Sequence, residues 1–143
     1  MKITVEKLTE MKACPDGIEW FKETFPNGVG LKRGAKIALE CDQFAFANWF
    51  ISRQLSDKNK IQYAIYAAEL VLHIFEEKYP DDKRPWKAIE ASKNYLILET
   101  DAAAYAAAYA ADAAYADGTT KVKIIDYGVS LILKQRSNNE SKS

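Results

Sequence analysis

Ile61, Ile65, Ala68, Leu72, Phe75 and Tyr79 recur three or four residues apart without a break. That spacing puts six side chains on one face of a helix and cannot be drawn as the alternation of a strand. Ser56 stands ahead of the run as a capping residue and Pro80 follows it, so the pattern carries its own start and stop. A chain built around such a helix needs partners for the stripe, and the remaining sequence supplies them as further helices.

Residues 4 to 12 read as a short helix opened by Thr4. Asp16 and Glu19 have the spacing of a capping box and start a second short helix, IEWFKETF, stopped by Pro26, Asn27 and Gly28. Ile37, Cys41, Phe44, Asn48, Ile51 and Leu55 form another stripe, widened by Phe46, Trp49 and Phe50, and predict one largely buried helix. YPDDKRPW reads as a turn into a helix with Pro85 in its first turn, where the missing amide hydrogen costs nothing. Val122, Ile125, Val129, Ile132 and Leu133 form a last stripe beyond a stop at Asp117 and Gly118, and the polar QRSNNESKS is expected to fray. No convincing period-two pattern competes with these helices. The expectation is an all-α fold, a compact single-domain bundle of six or seven helices over residues 1–136. Within it, 1–34 hold short N-terminal helices and a loop, 35–136 hold the bundle helices, and 137–143 form a flexible polar tail.

The stretch DAAAYAAAYAADAAYAD, residues 101 to 117, is almost pure alanine with Tyr105, Tyr109 and Tyr115 along it and one internal acid, Asp112. Alanine is the best helix former, and alanine faces let helix axes approach to the lower end of the 8 to 10 Å packing range. On a helical wheel Tyr105, Tyr109 and Asp112 cluster within about 60°, with Tyr115 to one side. One face can therefore pack inward on alanine while the other presents phenol groups around a carboxylate, a composition that suits recognition.

Charge and motifs remove several classes. The chain has 143 residues, twenty basic and twenty acidic, with no basic stripe to neutralise phosphates and no acidic block to imitate them. Direct nucleic-acid binding is not expected. MKITVEKLTE lacks the apolar core of a signal segment and no apolar run approaches the ~20 residues of a membrane span, so a cytoplasmic location is expected. Cys14 and Cys41 lack metal-site spacing and read as small core residues. GVGLKRG, residues 28 to 34, superficially has the look of a phosphate-binding glycine loop. Its third glycine is displaced and no strand is foreseen before it, so it reads as a plain inter-helix loop.

His73, the only histidine, has Glu69 one turn before it and Glu76 nearly one turn after. The three could hold a metal or exchange protons, or simply form a hydrogen-bonded helix surface, and a lone histidine favours the second. No serine or cysteine has a recognisable base partner, so no catalytic residue, cofactor or metal is expected. Asp81, Asp82, Arg84 and Trp86 gather charge and one rigid aromatic at the turn before the alanine-rich stretch. They are read, with Tyr105, Tyr109, Asp112 and Tyr115, as a partner-binding surface. The plainer alternative is that Asp82 favours a helix N-terminus and Trp86 fills the core.

Two resemblances add to this. The opening MKIT, the pair Ala13–Cys14, the aromatic pair Trp20–Phe21 ahead of Phe25, the Gly28–Val29 turn and the tryptophan-bearing FAFANWFISRQL resemble the N-terminal part of small phage and prophage proteins of unknown function. In several of these, alanine-rich, tyrosine-bearing repeats follow. The stretch AAELVLHIFEEKYPDDKRPWKAIEASKNYL, with Phe75 and Glu76, Pro80 to Asp82, Arg84 and Pro85, and Ala88 to Ala91, is similar to the core of a bacterial family described as immunity proteins. Both resemblances imply a setting of microbial conflict in which small helical proteins bind and block an effector. Neither brings a catalytic residue. The expected role is a non-enzymatic inhibitor with a protein effector as partner, either a toxin-specific immunity protein or an anti-CRISPR-like counter-defence factor. The alternatives are a small-ligand or hydrolytic module on Glu69, His73 and Glu76, or a structural homo-oligomer pairing alanine faces.

Overall fold

Thr4 opens the first helix as its sequence promises: the backbone is extended there and its Oγ1 accepts a 3.2 Å hydrogen bond from the Lys7 amide. A computed structural model describes residues 1–83, 86, 87, 89, 90, 93, 94 and 118–141, with the side chains of Val71, His73, Ile74 and Phe75 outside that description. The elements are β1 (Lys2–Ile3), α1 (Val5–Glu10), α2 (Pro15–Thr24), β2 (Val29–Gly30), α3 (Leu31–Glu40), α4 (Phe44–Gln54), α5 (Asp57–Lys78) and α6 (Gly118–Ser141). Trp86, Lys87, Ile89, Glu90, Lys93 and Asn94 are helical as well. The fold is all-α, and no described helix is long and apolar enough to cross a membrane. The chain divides into two compact units, Met1–Ala47 and Asn48–Ser143.

In the first unit, β1 and β2 pair antiparallel, Lys2 with Gly30 and Ile3 with Val29, a ladder the sequence pattern was too short to announce. Gly28 makes the turn into it at φ +81, where an added Cβ would lie 2.8 Å from the Ile3 carbonyl oxygen. Ile3, Leu8, Phe21, Phe25, Val29, Leu31 and Ala38 are buried there. The Trp20 ring stands edge-on to both Phe25 and Phe46, with centroids 5.9 Å apart in each pair.

Several local expectations are corrected. α2 starts at Pro15, with Cys14 as an extended N-cap making no side-chain cap hydrogen bond, so Asp16 sits in the first turn and not at the cap. Proline at the first position has no amide hydrogen to lose and forces the preceding residue out of the helical region. The long stripe from Ile37 to Leu55 belongs to two helices. α3 ends in a Schellman motif, with Asp42 at φ 57, Gln43 N donating to Ala38 O at 2.7 Å and Asp42 N to Leu39 O at 3.2 Å. Cys14 and Cys41, at these two helix ends, are exposed free thiols and not core residues. GVGLKRG is not an open loop: after Gly28 it forms β2, and from Leu31 it is α3.

In the second unit α5 carries the stripe inward: Ile61, Ala64, Ile65 and Ala68 cluster with Ile89, and Leu72 packs against them. Ser56 caps α5, its Oγ accepting from Asn59 N at 3.3 Å. α6 lies against α5, with Tyr66 and Tyr127 stacked at 4.1 Å. Its buried face is Ile124, Ile125, Val129, Leu131 and Ile132, while Val122 and Leu133, expected in the stripe, are 43% and 38% exposed. α6 begins at Gly118, and the helix expected to stop at Asp117 and Gly118 lies outside the described residues.

α6 also runs to Ser141, through most of the segment expected to fray. Gln135 shows one reason. Its Oε1 accepts from Ser56 N and Asn59 Nδ2, both at 2.9 Å, and its Nε2 donates to Gln54 O at 3.1 Å. One amide thus satisfies an orphan carbonyl near the end of α4 and an amide hydrogen at the start of α5. The polar side chain holds the corner between two helices.

Candidate functional site

α5 ends at Lys78 because Pro80 cannot continue it and pushes Tyr79 away from helical backbone angles. The chain then turns, with Asp82 N donating to Tyr79 O at 3.1 Å, and re-enters a helical turn in which Lys87 N donates to Lys83 O at 3.0 Å. Tyr79 and Trp86 are seven residues apart along this segment, so at about 3.3 Å per residue even a fully extended chain keeps them inside the footprint of one protein partner.

Both rings face solvent: Tyr79 is 49% exposed and Trp86 47%. Trp86 therefore does not fill the core, a place taken by Ile89 at 4% exposure. Asp81 is exposed and Asp82 half-buried. The Lys78 ammonium lies 5.7 Å from the centre of the Tyr79 ring, a cation on its π-face. The turn thus shows two half-exposed aromatic rings, an exposed carboxylate and an ammonium within a few residues.

Of the residues singled out in the sequence, Asp81, Asp82 and Trp86 fall on this turn. Arg84, Tyr105, Tyr109, Asp112 and Tyr115 lie outside the described residues, as does the alanine-rich stretch 101–117. Tyr79 is the member that the sequence did not assign to the site. Its place at the end of the α5 stripe suggested burial, whereas its position directly before proline was the signal for exposure.

On the carboxylate–histidine face of α5, Glu69 is engaged by a lysine. Glu69 Oε1 pairs with Lys93 Nζ at 2.6 Å, both side chains about half-exposed. The hydrogen bond to Glu69 and then its negative charge push the Lys93 ammonium above its usual pKa, holding the proton on lysine. Glu76 is half-buried, and the His73 side chain lies outside the described residues. Among the described residues no three histidine, cysteine or acidic side chains are grouped to hold a metal ion.

Elsewhere in the second unit, Trp49 is half-buried under the Arg53 guanidinium, 5.5 Å from its ring centre. Tyr63 is buried at 2% exposure and donates to Asn48 Oδ1 at 2.5 Å. Burial pushes its phenol far above the usual tyrosine range, so it stays neutral and serves as an internal strut.

Residues 1–58 match the family model described as the YdhT N-terminal domain. The match takes in the first unit and α4 and ends in the first turn of α5; the Tyr79–Trp86 turn lies beyond it. No curated protein and no solved structure matches the chain.

Proposed function

We propose that this chain is a non-enzymatic binding protein that uses the Tyr79–Trp86 turn to engage and occlude a protein effector. The observation that carries this reading is the near-half exposure of both rings on a turn, where a partner that covered them would remove their remaining apolar area from water. Tryptophan and tyrosine are the residues that dominate binding energy when a partner covers them, because they bring large rigid area with a polar tip. Asp81, Lys78 and Lys83 supply the polar rim that fixes orientation. The resemblance of residues 67–96 to immunity proteins, and of the N-terminal part to phage proteins, supports an effector of microbial conflict as the partner. Immunity and counter-defence both fit that chemistry.

The pairing of Glu69 with Lys93 disfavours the ligand or hydrolytic reading of the α5 face. The Glu69 Oε1 is occupied by the lysine and so is not free for a metal or substrate contact.

Affinity capture from host lysate identifies the partner, and calorimetry of the purified pair then measures the site. Truncating one such anchor typically costs at least 2 kcal/mol, about thirtyfold in affinity. Trp86→Ala and Tyr79→Ala are each expected to weaken the complex by that factor while the circular dichroism spectrum and melting temperature stay at parental values. Full affinity in both folded variants would refute the assignment and move the contact to Trp49 with Arg53, or to Trp20.

A further inference from the structure

We draw no further inference here: the strongest candidate, the exposed cationic patch of Lys32, Arg33 and Lys36 on the first turns of α3 with Lys2 paired across from Gly30, rests on an uncapped helix N-terminus and surface side chains with no second observation that points to a ligand.

Discussion

Gly128 lies in the interior of α6, where glycine is a poor choice by propensity: replacing it with alanine in an open helix gains about 1 kcal/mol. The structure predicts the opposite outcome here. A Cβ built on Gly128 would lie 2.5 Å from Ile51 Cγ2 and 2.7 Å from Tyr63 Cε2, more than about 1 Å inside ordinary carbon contact. Neither neighbour can swing away, since Ile51 is 1% and Tyr63 2% exposed and the Tyr63 hydroxyl is tied to Asn48. Overpacking of this kind costs typically 1–3 kcal/mol, and the close contacts put Gly128→Ala at the upper end. After the propensity gain, the net loss is about 1–2 kcal/mol, a fall in melting temperature of about 3–7 °C for a chain of this size. Thermal and urea unfolding followed by circular dichroism measure it. Gly118→Ala is the control, because an added Cβ there meets nothing within 4 Å and should leave stability within about 0.5 kcal/mol. A Gly128→Ala protein as stable as the parent, or more so, would refute the packing of α6 on Ile51 and Tyr63.

Three further outcomes follow from individual contacts. Burial raises the folded-state pKa of Tyr63 above the unfolded value of 10.0, so its contribution to stability is complete below pH 10. Above that, the unfolded chain ionises first. Parental stability should then fall by up to about 1.4 kcal/mol per pH unit more steeply than that of Tyr63→Phe, as read by denaturant titrations at pH 9 and 11. Gln135→Ala removes three hydrogen bonds at the α4–α5 corner, part of which water replaces, for a loss of about 1–2 kcal/mol. Amide exchange at Ser56 should accelerate more than exchange in α1, and equal acceleration at both would argue against a local clasp. A fragment of residues 1–58 covers the family match but uncovers Ile51, which in the whole chain packs beside Gly128. It should bind a hydrophobic dye and self-associate by light scattering, whereas a monomeric, dye-free fragment would show that α4 is satisfied without α6.

The helices that were legible are those whose signals are chemical and local. Thr4 and Ser56 offered capping oxygens and both cap. Ile61, Ile65 and Ala68 kept one period through α5, and that face is buried. What escaped the sequence were boundaries made by the backbone without their usual residues. Schellman caps normally announce themselves through glycine or asparagine, but α1 ends on Lys12 at φ 60 and α3 on Asp42 at φ 57. With no glycine at 42, the apolar spacing of Ile37 through Leu55 ran straight across a break. The two-residue ladder of β1 and β2 was beyond any period-two test, since it has one alternation on each strand.

The candidate site was legible in kind: the sequence leaves Trp86 open between an exposed anchor and a core residue, while it places Tyr79 on a buried stripe. A tyrosine on a helical stripe has the same spacing whether a neighbour covers it or not, so periodicity alone assigns Tyr79 to the core. Exposure is decided by where the chain turns. Pro80 ends α5 one residue beyond Tyr79, so the stripe runs out of helix at the point where its last ring would need a partner. Three residues after Trp86, Ile89 takes the inward position of the next helical segment and joins Ile61, Ala64, Ile65 and Ala68. A residue three positions away lies about 60° around a helix, so with Ile89 pointing inward Trp86 sits at the edge of the buried face. Its 47% exposure is what that edge allows. Charge does not explain these two rings, because the turn carries acids before Pro85 and bases on both sides of it in equal number, Glu76, Glu77, Asp81 and Asp82 against Lys78, Lys83, Arg84 and Lys87. Balanced charge lets the turn meet a partner without a strong long-range bias, and leaves affinity to the covered aromatic area. The proposed complex should accordingly keep its affinity within a few-fold between low and moderate salt while losing about thirtyfold with Trp86→Ala. Calorimetry across that salt range decides the point: a steep fall with salt would make the interface electrostatic and displace the rings from its centre.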